Sequence, residues 1–140
     1  MEIFCIEDFK VEFDKLHLKK PYKTAEQDII DYFFNKSINN LNSGTRLNNN
    51  NESPYIKKRL RGSGGYRFYF LLLLKDKNAY LMFFHPKTGP DSAENITDES
   101  KSHLYKKVLN CIKTNNLYKL TLDDKKKSIL FEKLDMVKSN

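Results

Sequence analysis

Basic residues recur at every second position of the segment YIKKRLR, which begins at Tyr55. Strand alternation predicts that Lys57, Arg59 and Arg61 lie on one face of a β-strand and that Lys58 lies on the other. Cations at this spacing form a stripe about 13 Å long, because a strand rises roughly 3.3 Å per residue. An arginine can donate two parallel hydrogen bonds to a phosphate, so the stripe could follow a single-stranded nucleic acid. A solvated strand face is the alternative interpretation.

Two later segments carry residues that could join this stripe. Arg67 follows the turn SGG and meets the stripe if the hairpin pairs in register. His85 and Lys87 flank Pro86 at the end of the next predicted strand. Histidine titrates near neutrality, so it suits proton transfer to or from ribose oxygens. A structural or exposed histidine is the alternative at a strand end.

Other chemistries find little support in the sequence. It contains no HExxH, CxxC or DxDxDG pattern of metal ligands. The segment GSGGYR has glycines but neither the lysine nor the following helix of a phosphate-binding loop. No GxSxG motif is present, and neither cysteine has a positioned base. We therefore expect any catalysis to use cations and a histidine, with no metal and no cofactor.

The charge composition indicates which kinds of binding partner are favoured. Lys and Arg number 25 against 18 Asp and Glu in 140 residues, which gives a formal charge of +7. This excess favours a nucleic acid, an acidic protein or an anionic membrane surface, without choosing among them.

The chain shows features of a cytoplasmic protein. The longest apolar run, Phe68 to Leu74, is too short to span a bilayer. The first residues are acidic where a signal peptide needs basic ones. Cys5 and Cys111 have no metal-ligand spacing, so we expect buried free thiols in a reducing compartment.

The periodicity predicts a single α+β domain. After an N-terminal segment with competing strand and helix patterns, Thr24 begins a helix with an apolar stripe, and 39–53 reads as a mobile loop. A three-stranded meander follows, then a helix from Thr97, then a tail of two short strands or a final helix. We expect a small antiparallel sheet, made of the meander plus an N-terminal strand, with helices on one face and the basic residues on the other. The core would span about 1–113, and 114–140 would be a C-terminal extension.

The segment IKKRLRGSGGYRFYFLLLLKDKNAYLMFFHPKTGPDSAENIT resembles the core of the RelE/ParE-like superfamily of type II toxin–antitoxin toxins. These proteins carry a K-x-R/K-L-R strand, a short turn, a G-Y-R-(hydrophobic)-x-Y strand, a second hydrophobic strand with a basic residue near its end, and a short helix. A helix followed by a segment such as GTRL also suits the family. The resemblance covers roughly residues 9–112.

The resemblance implies ribosome-dependent endonuclease activity on mRNA, as in the RelE and HigB branches. By motif position, Arg67 would stabilise the scissile phosphate, and Lys57 and Arg59 would help to activate the 2′-hydroxyl and neutralise the phosphorane. Lys87 would match the basic residue after the meander, and His85 a position that varies among branches. The residues assigned to RNA binding beside this site are Arg61, Lys58 and Tyr66. No residue matches the family's C-terminal catalytic aromatic, so the general acid is left open.

Three functions remain open at this point. The first is an mRNA endonuclease toxin, whose partners would be the ribosome, mRNA and a cognate antitoxin that covers the basic face with an acidic segment. The second is a ParE-like inhibitor of DNA gyrase, which would not need a base. The third is a non-catalytic RNA-binding module.

Overall fold

Seven strands form one mixed sheet in the computed structural model, which describes residues 1–60, 65–87 and 96–137. The strands are β1 (Glu2–Cys5), β2 (Thr45–Arg46), β3 (Tyr55–Leu60), β4 (Tyr66–Leu73), β5 (Asn78–Pro86), β6 (Tyr118–Leu122) and β7 (Ile129–Lys133). Their order is β2-β3-β4-β5-β1-β6-β7. Strand β1 is parallel to β5, and every other neighbouring pair in that order is antiparallel.

The prediction of a small antiparallel sheet was therefore wrong. The meander β3-β4-β5 is present, but β1 joins it in parallel and the tail extends it by a hairpin, with Leu120 opposite Ile3. An open strand edge leaves backbone N–H and C=O groups without hydrogen-bond partners. Strand β6 provides those partners along the edge of β1. Alternation in a sequence shows which face a residue takes, but it does not show which strand lies alongside.

Helices cover both faces of the sheet, so the prediction of helices on one face was also wrong. The helices are α1 (Glu7–Leu16), α2 (Ala25–Ile29), α3 (Ile38–Leu41) and α4 (Asp98–Thr114), with a π-helical turn at Ile30–Phe34 and a 3₁₀ turn at Lys20–Tyr22. Helices α1 to α3 and both turns pack on what we call the α1 face, and α4 packs on the α4 face. The interior strand β4 is apolar on both sides, and burying both sides requires cover on both.

Aromatic rings fill the core of the α1 face. Phe68 and Phe84 stack with their centroids 5.2 Å apart, and Phe9 from α1 lies 4.9 Å from Phe84. The core of the α4 face is smaller, with Leu104 and Val108 of α4 among its buried side chains.

Local signals predicted α4 well. The Thr97 side chain accepts a hydrogen bond from the backbone N–H of Ser100 at 3.1 Å, which caps the helix. The helix ends where Asn115 takes a left-handed conformation with φ 57°. Among the described residues, no helix combines the length and apolar character needed to cross a membrane.

Other local predictions had mixed outcomes. Thr24 precedes α2, but its side chain makes no capping hydrogen bond. The Asn-rich segment 39–53 is not a structureless loop: part of α3 and strand β2 lie within it, and Asn50 Oδ1 accepts from two backbone N–H groups at 3.0 Å. The tail forms two strands, which was one of the two predicted alternatives, and Cys5 and Cys111 are buried free thiols as predicted.

Candidate phosphate-binding site

Three neighbouring strands each contribute one nitrogen-bearing side chain to a single row across the sheet. Arg59 of β3 lies directly opposite Arg67 of β4, and Arg67 lies directly opposite His85 of β5. Side chains directly opposite one another have Cβ atoms about 4.5–5.5 Å apart. The register therefore meets the condition stated for Arg67 to join the stripe, and it makes Arg59 and Arg67 cross-strand neighbours.

Two lysines flank this row. Lys57 lies two residues before Arg59 on the same face of β3. Lys87 follows β5, and its backbone N–H donates to the carbonyl of Gly65 at 2.8 Å, which holds it beside the start of β4. We call Lys57, Arg59, Arg67, His85 and Lys87 the cation cluster.

A β-bulge places His85 on the same face as the arginines. The pairing of β4 with β5 shifts between Tyr69 and Phe70, so that Tyr69 pairs with Phe83 but Phe70 pairs with Leu81. The extra residue reverses the alternation of β5. The His85 ring consequently lies on the α4 face, 6.1 Å from the Tyr69 ring and 6.0 Å from the Phe83 ring, measured between centroids.

The environment of His85 favours a neutral imidazole. The side chain is only 3% exposed, and Nδ1 lies 3.1 Å from the carbonyl oxygen of Pro86. A carbonyl oxygen can only accept, so Nδ1 carries the proton and Nε2 is an acceptor. Burial lowers the pKa of His85, and the positive charges of Arg67 and Lys57 lower it further. Nε2 is buried, and no group in the described part of the chain forms a hydrogen bond with it.

The two lysines are affected by their positive neighbours. Desolvation lowers the pKa of Lys57, and the charges of Arg59, Lys101 and Arg67 lower it further. The pKa of Lys87 is lowered by desolvation and then by Arg67 and Arg59. Because both lysines respond to the same pair of arginines, the cluster acts as one electrostatic unit that favours a bound anion.

The structure does not bring every predicted residue to this site. Lys58 lies on the α1 face, with Nζ 5.9 Å from the centre of the Tyr32 ring. Tyr66 is 1% exposed and packs in the α1-face core, 6.1 Å from the Phe84 ring. Strand alternation accounts for both positions, since each is one residue away from an arginine or lysine of the cluster. Arg61 lies outside the described residues.

Residues outside the predicted set also adjoin the cluster. Lys101 of α4 lowers the pKa of Lys57, so helix α4 adds positive charge from above the sheet. The signal for it was available, because Lys101 precedes the buried Leu104 by three positions and shares its side of the helix. Phe83 was read only as part of an apolar strand, because the bulge that sets its direction leaves no mark in the sequence.

Comparison with known proteins adds nothing to this site: no family model matches the chain, and no curated protein matches its sequence. Among the described residues, no three His, Cys, Asp or Glu side chains are grouped closely enough to hold a metal ion.

Proposed function

We propose that this protein is an endoribonuclease that cleaves single-stranded mRNA at the cation cluster. The observation that supports this best is the row of Arg59, Arg67 and His85 across three strands, flanked by two lysines of lowered pKa. A surface that served only for solubility would not need arginines in direct cross-strand register, where like charges repel. A phosphate group between them relieves that repulsion.

The cluster contains the groups that cleavage by the neighbouring 2′-hydroxyl requires. Arg59 and Arg67 hold the phosphate and stabilise the phosphorane, each such donor contributing about 3 kcal/mol. The Lys57 amine takes the proton of the 2′-hydroxyl, whose oxygen attacks phosphorus. The bond from phosphorus to the 5′-oxygen then breaks, and the Lys87 ammonium gives a proton to that oxygen. The products are a 2′,3′-cyclic phosphate and a 5′-hydroxyl.

The lowered pKa values of both lysines suit these roles. A general base must be partly deprotonated near the working pH, and a general acid must release its proton readily. His85 is too buried to reach a ribose directly, and we assign it the role of positioning Arg67. Its neutral ring occupies the row without adding a third positive charge.

The biological setting of the proposal rests on the resemblance to RelE/ParE-like toxins. We propose that the substrate is mRNA held by the ribosome in the cytoplasm, since an ordered substrate removes an entropic cost that a small protein cannot meet alone. The positive cluster would attract an acidic antitoxin segment that folds on binding and blocks the site.

The decisive experiment compares Arg67→Ala with Lys58→Ala in cells and in purified translation reactions. Arg67→Ala should remove growth arrest and lower mRNA cleavage about a hundredfold, because one oxyanion donor is lost. Lys58→Ala removes the same charge from the opposite face and should leave both unchanged. Circular dichroism spectra of both variants should match that of the parent protein.

The outcomes separate the competing functions. If Arg67→Ala is as toxic as the parent protein, the cation cluster is not the site of cleavage. Growth arrest with DNA damage and intact transcripts would favour gyrase inhibition. Harmless expression of the parent protein, with salt-sensitive RNA binding and no cleavage, would identify a binding module instead.

A further inference from the structure

A cavity of about 390 Å³ opens between α4 and the sheet on the α4 face. Its apolar lining comes from Phe83, Ile96 and Leu104, and Glu99 and Ser100 are among its polar residues. This volume lies within the range of roughly 300–1,000 Å³ for small-ligand sites, which combine apolar walls with a few polar groups.

The cavity adjoins the cation cluster through one aromatic ring. Phe83 lies in the cavity wall, and its ring centroid is 6.0 Å from that of His85. Phe83 is also the cross-strand neighbour of Tyr69, which in turn lies opposite Lys57. A nucleotide with its phosphate at the arginines would therefore have its base next to Phe83, and aromatic side chains bind unpaired bases by stacking.

Acidic groups beside an RNA-binding cluster need an explanation, because a carboxylate repels the RNA backbone. Asp8 in the cavity wall is neutralised by Lys107, with Nζ 2.6 Å from Oδ1. Glu99 is exposed and forms no ion pair or hydrogen bond within the described part of the chain. A carboxylate has only acceptors, so Glu99 favours a base that presents donors and disfavours the others.

The neighbouring Ser100 adds a donor to this arrangement. Thr97 Oγ1 donates to Ser100 Oγ at 3.0 Å, which leaves the Ser100 hydroxyl proton available to a ligand. Guanine presents one acceptor, O6, next to two donors, N1–H and N2–H. Adenine and cytosine each place an acceptor beside a single donor group, and uracil places its one donor between two carbonyls. Each of these edges can give one hydrogen bond to the carboxylate and accept one from the hydroxyl, but guanine alone has two adjacent ring-edge donors for both carboxylate oxygens together with an acceptor for the hydroxyl.

We propose that this cavity is a guanine-binding subsite, in which Phe83 stacks on the base, Glu99 accepts from N1–H and N2–H, and Ser100 donates to O6. The subsite rests on the proposed function, because it sets the sequence preference of an RNA-cleaving site. The subsite would favour cleavage of RNA at phosphates next to a guanosine.

The test is titration of the purified full-length chain with the four nucleoside 3′-monophosphates, followed by calorimetry or by chemical-shift changes. Guanosine 3′-monophosphate should bind roughly 5- to 150-fold more tightly than the other three, which is the discrimination expected of a bidentate base contact. Glu99→Gln should remove this preference. Asp98→Asn is the matched control, because it removes the same charge from the same helical turn but lines a different cavity.

Each result bears on the proposal. Equal affinities for all four nucleotides, or a guanine preference that Asp98→Asn lowers as much as Glu99→Gln does, would overturn the subsite. If the protein prefers guanosine 3′-monophosphate but cleaves no RNA, the subsite proposal stands and the proposed nuclease function is wrong. If the protein cleaves transcripts without enrichment of guanosine at the cleavage sites and binds all four nucleotides alike, the nuclease function stands and the subsite proposal is wrong.

Discussion

The two faces of the same strands differ in cover and in content. On the α1 face, α1 to α3 bury a layer of aromatic rings, and Phe68 is 1% exposed there. On the α4 face one helix covers only part of the sheet, and Arg59 is exposed there. Adjacent residues such as Arg67 and Phe68 therefore belong to different environments. One face supplies the stability that allows the other to hold like charges together.

The largest expected effect comes from the α1 face. Phe68→Ala should lower the free energy of unfolding by about 3–5 kcal/mol, because it removes a ring packed against Phe9, Phe33 and Phe84. Chemical denaturation measures this loss. Arg67→Ala, one position away on the α4 face, should lower the free energy of unfolding much less, because it removes no ring from the core and relieves repulsion with Arg59. A large loss of stability in Arg67→Ala would contradict the division between the faces.

The second prediction separates charge from proton transfer on the α4 face. Lys57→Arg keeps the positive charge but removes the base, so RNA affinity should be retained while the cleavage rate falls by about 10²–10⁴. The parent rate should rise with pH toward a midpoint below the ordinary lysine value of 10.5, because the pKa of Lys57 is lowered. Rates measured across pH check this. Lys58→Arg, on the α1 face, should keep the parent profile, and an unchanged profile in Lys57→Arg would exclude Lys57 as the base.

A smaller effect is expected at the start of α4. Thr97→Ala removes the side-chain cap of the helix that covers the α4 face, which should cost about 1 kcal/mol of unfolding free energy. The corresponding position of α1 is Ile6, whose side chain makes no capping hydrogen bond. Thermal denaturation of the parent protein, Thr97→Ala and Thr97→Ser measures this cost. Thr97→Ser keeps the capping hydroxyl, so its stability should match that of the parent protein.

The smallest effect is a change in how stability depends on pH. The pKa of His85 is lowered from its ordinary value of 6.5, so below that pH the unfolded chain takes up a proton that the folded chain does not. The free energy of unfolding should therefore fall as the pH drops below 6.5. His85→Gln should weaken this dependence. Asp and Glu residues titrate in both proteins, so the difference between the two pH profiles gives the contribution of His85. An identical pH dependence in both would show that His85 is protonated equally in the folded and unfolded states.

Local patterns were reliable wherever the chain interacts with itself over a few residues. The Thr97 cap and the end of α4 at Asn115 both depend on short-range hydrogen bonds and propensity. The Asn-rich segment misled, because its Asn48 and Asn50 side chains bond backbone groups and substitute for regular structure. Composition alone does not distinguish such a segment from a disordered one.

The sequence by itself determined the strand that carries Lys57 and Arg59 and the opposite direction of Lys58, and it left the register that sets Arg59 opposite Arg67 to the structure. Strand alternation controls both of the properties that the sequence determined, and it is local. Only the tertiary structure decided that β1 lies parallel to β5, that the tail completes a seven-stranded sheet, and that α4 covers a second face. It also decided, through the bulge opposite Tyr69, that His85 lies with the arginines and that Phe83 lines the cavity. These depend on which distant surfaces can be buried together, and no short segment contains that information.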